Sequence, residues 1–520
     1  MFWFWVSRCY FSRVFIRKKK NKSGSSSIQI IDKSSGKYEV IKTVGCADNE
    51  QQEKDLMQLA YELLPTLTKQ SRIDFSFTED EIFLTQLQQG FKKLLVVGTE
   101  LILEKLFDEV GYHQIPESLF RHLVITRLVY PGSKLKTADY LLRYKGIYTN
   151  KDRIYRYMDR FDLNHKQTAI DITFEHTRQI LNNQITVAFY DITTLYFEAS
   201  DEDDLRRTGF SKDGKAQNPQ ILLALLVGVS GQPLAYEVFE GDKFEGHTLI
   251  PVVQVFKKKY SLPSLIIVAD AGLLSAENIT ELIRLDYPFI FGGRLKNETD
   301  IIKQQILSQT YTDGKTITIQ KPNNIRLIVN YSIKRARKDA HLRKQGLERL
   351  ERSLKSGKLT KEKINNRGYN KYLKIKNEIA VEIDYKAFRA DNKWNGLKGY
   401  VTNCNLSETA IMDNYKQLWA IEKAFRISKT DLRVRPIYHR LERRIKTHIC
   451  IAFCSYKIYK ELERQLKLKK VPLSVEQTIN ELKTIYQAQV ILPQSKRKTN
   501  VLLPLNEKQR LILQAFGVKY

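Results

Sequence analysis

Apolar and polar positions change period several times along the chain, and each change predicts an element. Residues 27–45 alternate and read as two strands around Ser34-Ser35-Gly36, a hairpin pattern. Residues 48–70 place Leu56, Leu59, Ala60 and Leu63 at helical spacing, and 80–182 is helical almost throughout. Within that stretch, 134–161 predicts two helices broken at Gly146, the second carrying Arg153, Arg156 and Arg160. Two readings stay open there: a helix-turn-helix whose second helix enters the major groove of DNA, or a helical hairpin with a solvated basic face.

After 182 the period shortens. QITVAFYD (184–191) is a buried strand ending in an acid, and 217–230 and 232–241 are two more strands joined at Gly231. Residues 245–260 are helical, and SLIIVAD (264–270) is a second buried strand ending in an acid. A helix at 275–286 with Ser275 as N-cap leads to a fifth strand at 287–293. Three consecutive strands, a helix, then βαβ is the order of a ribonuclease-H-like mixed α/β sheet. In that order the strands ending in Asp191 and Asp270 are parallel neighbours. From 296 to 405 the alternation is less regular. TITIQ (316–320) and RLIVNYS (326–332) predict strands, 336–354 a helix, and 385–403 strand-like chain. Helices are predicted at 407–430 and 440–468.

These readings divide the chain into an extension (1–16), a β-hairpin (17–46), a helical and DNA-binding region (47–182) and a first part of the catalytic core (183–295). A β-rich, basic insertion (296–405), a final core helix (406–435) and a helical C-terminal region (436–520) follow. The first sixteen residues are apolar but interrupted by Arg8 and Arg13, too short and too charged for a membrane span. The basic run Arg17–Lys20 follows the apolar part, the reverse of a signal peptide. The folded chain is expected to begin near Phe15.

Composition narrows the partner. In 520 residues, 86 Lys and Arg against 58 Asp and Glu leave a net charge of +28, with a pI near 9.6. Such a field attracts polyanions, nucleic acid before an anionic membrane or a ribosome. Residues 334–376 hold 16 Lys or Arg and 4 Asp or Glu, which favours a DNA-facing surface over a merely solvated helix. The five cysteines include no CxxC pair, which speaks against structural zinc and for a reducing cytoplasm; Cys450 and Cys454 are spaced to face a core.

The candidate chemistry lies in three acids. Metal-dependent phosphodiester cleavage needs carboxylates converging on two ions about 3.5–4 Å apart. Mg²⁺ prefers oxygen ligands and keeps several waters, so few side chains suffice. In an open α/β sheet the ligand site lies beyond the carboxyl ends of the strands, where Asp191 and Asp270 are predicted. The third acid is Glu422. In 414–436, Tyr415, Leu418, Glu422, Phe425, Arg426 and Lys429 recur at steps that line one helix face. That face pairs a carboxylate with cations suited to gripping phosphate.

YKQLWAIEKAFRISK (415–429) resembles the Y-(2)-R-(3)-E-(6)-K signature of transposases of the insertion-sequence type-four superfamily, with Tyr415, Glu422 and Lys429 in register. FYDITTLYFE (189–198) and VADAGLLS (268–275) resemble its two Asp motifs. GFSKDGKAQNPQILLALLV, FEGDKFEGHT and RPIYHRLERRIKTH are similar to the insertion-sequence family 1634 group. The signature Arg is Leu418 here. The resemblance implies a DDE transposase that cuts transposon ends, frees a 3′-OH and joins it to target DNA, a cut-and-paste reaction. It implies two Mg²⁺ ions (or Mn²⁺) on Asp191, Asp270 and Glu422, and Tyr415 and Lys429 on DNA; with the signature Arg absent, its phosphate contact is expected to fall to Arg426 or another group. Thr193 and Thr194 are expected to pack at the strand end, and His439 and His448 have no part in this chemistry. Double-stranded DNA is the expected partner, a homodimer the expected form on DNA, and the bacterial cytoplasm and nucleoid the expected location. The alternatives are a catalytically inactive DNA-binding protein of transposase descent and a structure-specific metal-dependent nuclease.

Overall fold

A computed structural model describes residues 14–68, 79–211, 214–215, 217–262, 264–356, 368–376 and 380–519. Residues 1–13, most of the expected extension, lie outside the described residues, as does 357–367 of the basic stretch. The chain divides into two units, 1–90 and 91–520.

In the first unit, strands β1 (Val14–Lys20), β2 (Ser26–Asp32) and β3 (Glu39–Ala47) form an antiparallel sheet in the order β1-β2-β3. The expected hairpin is β2–β3, and β1 adds a third strand that takes in Val14, Phe15 and Ile16. Ile28, Ile30 and Ala60 form its small buried cluster beneath helix α1 (Glu50–Thr68). Helix α2 (Glu79–Gly90) closes the unit.

The second unit opens with a strand, β4 (Phe91–Val96), inside a region expected to be helical. Helices α3 (Gly98–Val110), α4 (Ser118–Val129), α5 (Lys134–Lys145), α6 (Lys151–Arg160) and α7 (Leu163–Ile180) follow. The predicted break between α5 and α6 is present: Gly146 takes φ 65° at the α5 C-cap, and Asn150 caps α6.

The core strands are β5 (Val187–Tyr196), β6 (Gln220–Val227) and β7 (Pro233–Glu240). Helix α8 (Leu249–Lys259), β8 (Ile266–Ala269), α9 (Ala276–Arg284) and β9 (Phe289–Gly293) come next. Ser275 caps α9 as predicted, accepting from the Asn278 amide at 3.1 Å. Past α10 (Asp300–Leu307), strands β10 (Thr316–Lys321) and β11 (Ile325–Tyr331) precede helix α11 (Ile333–Lys355). The hairpin β12 (Leu373–Lys376)–β13 (Ala380–Ile383) and α12 (Tyr385–Ala390) lead to β14 (Leu397–Thr402). The first part of the strand-like 385–403 is thus helical.

Eight strands form one mixed sheet, in the order β10-β11-β14-β9-β8-β5-β6-β7. β5, β8 and β9 run parallel, and every other neighbouring pair is antiparallel. Strands β10, β11 and β14 come from the basic insertion and extend the core sheet at β9. Their apolar faces, Leu327, Ile328 and Val329 among them, merge with the main core. The rest of the insertion keeps a small core of its own around Leu350, Tyr372, Leu373 and Ile383.

The predicted helix at 407–430 is split into α13 (Glu408–Lys416) and α14 (Trp419–Arg426). Helix α15 (Glu442–Leu468) runs through the middle of the unit and buries Cys450 and Cys454 as expected. After α16 (Val475–Leu482), strands β15 (Tyr486–Ile491) and β16 (Lys498–Leu502) pair in the order β16-β15-β4 before α17 (Glu507–Ala515). The C-terminal region is therefore not wholly helical. Among the described residues, no helix is long and apolar enough to cross a membrane.

Candidate active site

Sequence placed Asp191 at the end of its strand; the structure places it mid-strand. β5 continues to Tyr196 because Asp191 through Tyr196 stay paired with β6, Asp191 opposite Leu225. β8 stops earlier. Its parallel pairing with β5 ends at Tyr190 opposite Ala269, so one register step on stand Asp191 and Asp270. Asp270 keeps extended backbone (φ −71°, ψ 162°) before the chain turns. Neighbouring strands lie about 4.8 Å apart, so the two carboxylates leave adjacent backbone positions at one sheet edge. Asp191 is half-buried, with one carboxylate oxygen accepting from the Ile192 amide at 2.7 Å, and Asp270 is exposed, accepting from the Gly272 amide. Thr193 and Thr194 are buried in β5, in line with a packing role.

Glu422 sits on α14, which packs against β5 and the Val229–Gly231 turn. Gly231 has φ 75°, and a Cβ there would come 3.3 Å from the Ala420 carbonyl. Glycine thus lets α14 lie close on the sheet.

The expected single face from Tyr415 to Lys429 is not kept. The Leu418 amide donates to the Tyr415 carbonyl, Ala420 to Gln417 and Ile421 to Leu418, three-residue steps that overwind the chain. At the other end, Ile427–Asp431 winds as a π-helix, with the Leu432 amide on the Ile427 carbonyl at 2.9 Å. Leu418, Ile421, Ala424 and Phe425 are therefore buried, while Trp419, Glu422 and Arg426 are exposed together. Lys429 is partly exposed in the π turn.

Tyr415 links the elements. Its ring packs edge-on to Tyr400 at 5.1 Å, and Lys398 Nζ lies 4.4 Å from its centroid. Its hydroxyl occupies the space a side chain at Gly292 would need; a Cβ there would also come 3.1 Å from the Ala271 amide nitrogen. Burial pushes the Tyr415 phenol up, and the charges of Asp270 and Glu422 act on it in the same direction. Burial lowers Lys398, Arg335 and Lys416 lower it further, and Glu422 opposes them. Asp270, Tyr415, Lys398 and Glu422 thus share one electrostatic neighbourhood.

A cleft of about 350 Å³ beside Ala271 is lined by Arg294, Lys296, Arg335, Lys398 and Tyr415. Arg294 donates to the Gly272 carbonyl at 3.1 Å, next to Asp270, and Lys296 pairs with Asp391 at 2.9 Å. Sequence reasoning singled out none of these cations individually. Arg294 carried a usable signal, since it follows β9 as Asp270 follows β8, at the same sheet edge. Arg153 and Arg156 are exposed on α6, whose Ile154, Tyr157 and Met158 are buried where it packs on α5 and α15. Among the described residues, neither arginine has an ion-pair partner; the ion pair from this helix to Glu117 is made by Arg160.

Among the described residues, no three His, Cys, Asp or Glu side chains are grouped to hold a metal ion. Asp191 and Asp270 are register neighbours, and Glu422 stands on the helix over β5 rather than in a closed three-carboxylate set.

A family model for the transposase DDE domain matches residues 182–458, from just before β5 into α15. The chain belongs to the DDE transposase family. The match takes in Asp191, Asp270 and Glu422 and ends inside the central helix. Among solved structures, this transposase is similar to the piggyBac transposase synaptic complex with hairpin DNA. The identity is 11%, the coverage 77% of this chain and 79% of that one, and the TM-score 0.36. It is also similar to the Mos1 transposase paired-end complex with left transposon end, at 10% identity, covering 32% of this chain and 56% of that one with a TM-score of 0.15. No curated protein matches.

Proposed function

We propose that this DNA transposase cuts transposon ends and joins the freed 3′-OH to target DNA, with Asp191, Asp270 and Glu422 as its metal-binding carboxylates. The single observation that carries the reading is register. Asp191 is the first residue of β5 beyond the end of its parallel neighbour, and Asp270 is the residue at which that neighbour turns away. Two carboxylates on adjacent backbone positions suit a shared divalent cation, and an all-oxygen donor set suits Mg²⁺, with Mn²⁺ as a substitute. When bound, two such ions activate water and stabilise the attacking and leaving oxygens of the phosphodiester.

Asp191 and Asp270 would hold one ion together, and Glu422 would complete the second site. Tyr415, Arg426 and Lys429 grip the strand near the scissile phosphate. Arg294 and Lys398, in the basic cleft beside Asp270, add phosphate contacts. Arg153 and Arg156 on α6 contact duplex DNA further away. The sheet is proposed to be ribonuclease-H-like, its β7-β6-β5-β8-β9 part running in that order. The chain falls in the insertion-sequence type-four superfamily, near the family 1634 group. It works on double-stranded DNA as a homodimer at the bacterial nucleoid.

The test uses the full chain, duplexes carrying the inverted repeats that flank its gene, and Mg²⁺. Alanine at Asp191, Asp270 or Glu422 is expected to reduce cleavage at least about a thousand-fold, equivalent to about 4 kcal/mol, with end binding kept. Cleavage unchanged in all three variants overturns the assignment. Pre-cleaved ends then separate a transposase, which joins them to target, from a structure-specific nuclease, which does not.

A further inference from the structure

A second, larger cavity of about 630 Å³, lined by none of Asp191, Asp270 and Glu422, lies between the α4–α5 corner and the chain at Arg433–His439. Its cations are Arg127, Lys134, Lys136, Arg433, Arg435 and Lys483, joined by His439 and His448, and among the described residues no Asp or Glu lines it. Two of the cations are deeply set: Arg127 is 7% exposed and Lys134 4%.

Buried charges are ordinarily paired, because desolvation is otherwise uncompensated. Here they are not. Among the described residues, the Arg127 guanidinium reaches only the Leu432 carbonyl at 3.5 Å and His448 Nδ1 at 3.4 Å. His448 Nε2 lies 3.2 Å from the Val434 carbonyl, so a neutral ring donates there and accepts from Arg127. Among the described residues, the Lys134 ammonium has no hydrogen-bond or ion-pair partner. The carboxylate on neighbouring α6, Asp159, is taken by Arg443 and Arg444 at 2.9 and 2.6 Å. Burial pushes Arg127 down to about 10, and burial with the Arg127 charge pushes Lys134 well below its usual range. Burial, then Lys134 and Arg127, lowers His439 to about 3.

We propose that this cavity is a binding site for a phosphate group, recognised by the buried Arg127 and Lys134 and a rim of Lys136, Arg433, Arg435 and Lys483. An oxyanion with three or more oxygens can engage a planar guanidinium and an ammonium at once. The positive N-terminal end of α5, where Ser133 caps the helix through the Lys136 amide at 3.2 Å, adds to the field. Tyr155 and the exposed Tyr438 give the wall apolar faces beside the cations. The site also touches the catalytic sheet. The Ile437 amide donates to the Tyr196 carbonyl at 3.2 Å, and Arg435 lies 5.9 Å from the Tyr196 ring. Tyr196 ends β5, about 17 Å along the strand from Asp191 at 3.3 Å per residue. That is about five base-pair steps of duplex.

The phosphate has two sources, a nucleic-acid strand or a free nucleotide or phosphate, and the first rests on the transposase reading while the second does not. The experiment follows thermal unfolding of the full chain with inorganic phosphate against chloride at matched ionic strength, then DNA affinity as a function of salt. Phosphate is expected to raise Tm by about 2–5 °C. Lys134→Met is expected to raise the Tm measured without phosphate, because it removes an unpaired buried charge, and to abolish the phosphate-induced rise. Arg433→Gln, at an exposed rim position, is expected to shrink that rise and carries the test alone if Lys134→Met does not fold. If these variants also weaken duplex binding and reduce its salt slope by about 1, the occupant is a DNA phosphate. If DNA affinity is unchanged while the phosphate response is lost, the occupant is a small phosphate compound. A wild type without a phosphate response, or variants that keep it at full size, overturns the site.

Discussion

Leu418 shows most clearly how a signature position can be built differently. It is 8% exposed and belongs to the main buried core, against which Tyr415 also packs. Leu418→Arg, which puts arginine where the resembled signature has it, would bury an unpaired guanidinium and is expected to destabilise the chain by about 3 kcal/mol. Urea denaturation checks this, and an unchanged midpoint would show that the side chain reaches solvent. Gly292 makes a second residue-level case. Gly292→Ala drives a methyl into the Tyr415 hydroxyl and is expected to cost about 1–3 kcal/mol, the range for overpacking. Tyr415→Phe in the same chain removes the atom that clashes and should recover most of the loss. No recovery in the double variant would place the clash elsewhere.

At the scale of elements, α14 is bounded by irregular winding on both sides, three-residue hydrogen-bond steps before it and a π turn after it. Such junctions yield more readily than continuous α-helix. Amide exchange in α14 is therefore expected to be faster than in the middle of α15, and to slow when Mg²⁺ and an end duplex are present together. Equal protection with and without them, followed by mass spectrometry, would contradict a helix that brings Glu422 towards the aspartates. The same junctions explain what the sequence could and could not show. Apolar positions at Leu418, Ile421 and Phe425 keep a helical rhythm through the overwound step, so one helix and one face were expected where the chain forms two segments. Strands β5, β8 and β9 were legible because they are short apolar runs between polar turns. The sequence suggests a strand end at Asp191, but pairing with β6 continues after β8 has left, a fact about neighbours that the chain does not carry locally. β4 went unseen for a related reason: FKKLLV has no partner nearby and pairs with β15, near the other end of the chain. Arg294 and Lys398 escaped notice because single cations become a cleft only when β9, β14 and α13 meet.

For the whole molecule, a net charge of +28 should make DNA affinity fall with salt by about 0.9 log units per log unit for each phosphate contacted. A flat response over roughly 50–200 mM would remove electrostatics as the source of affinity. Buried His176 and half-buried His439 set a pH window for stability. Burial first, then Lys457, lowers His176 to about 4, and His439 is lowered to about 3. Both are neutral in the folded chain where the unfolded chain takes up protons, so the unfolded state binds more protons between about pH 6.5 and those values. Stability in that window therefore rises with pH and is lost on acidification. His176→Phe, removing one titrating group, should flatten the fall in Tm from neutral pH to about pH 5, and an identical slope would exclude His176 as a contributor.

In the proposed reaction Asp191 and Asp270, at one register step, hold the divalent metal together with Glu422 on α14. Mn²⁺ binding to the full chain in the presence of an end duplex, followed by electron paramagnetic resonance, tests it most directly. The expected result is saturable binding in the wild type, lost in Asp191→Asn and Asp270→Asn and weakened in Glu422→Gln, with DNA affinity retained in all. Mn²⁺ binding that is the same in all four proteins would contradict it.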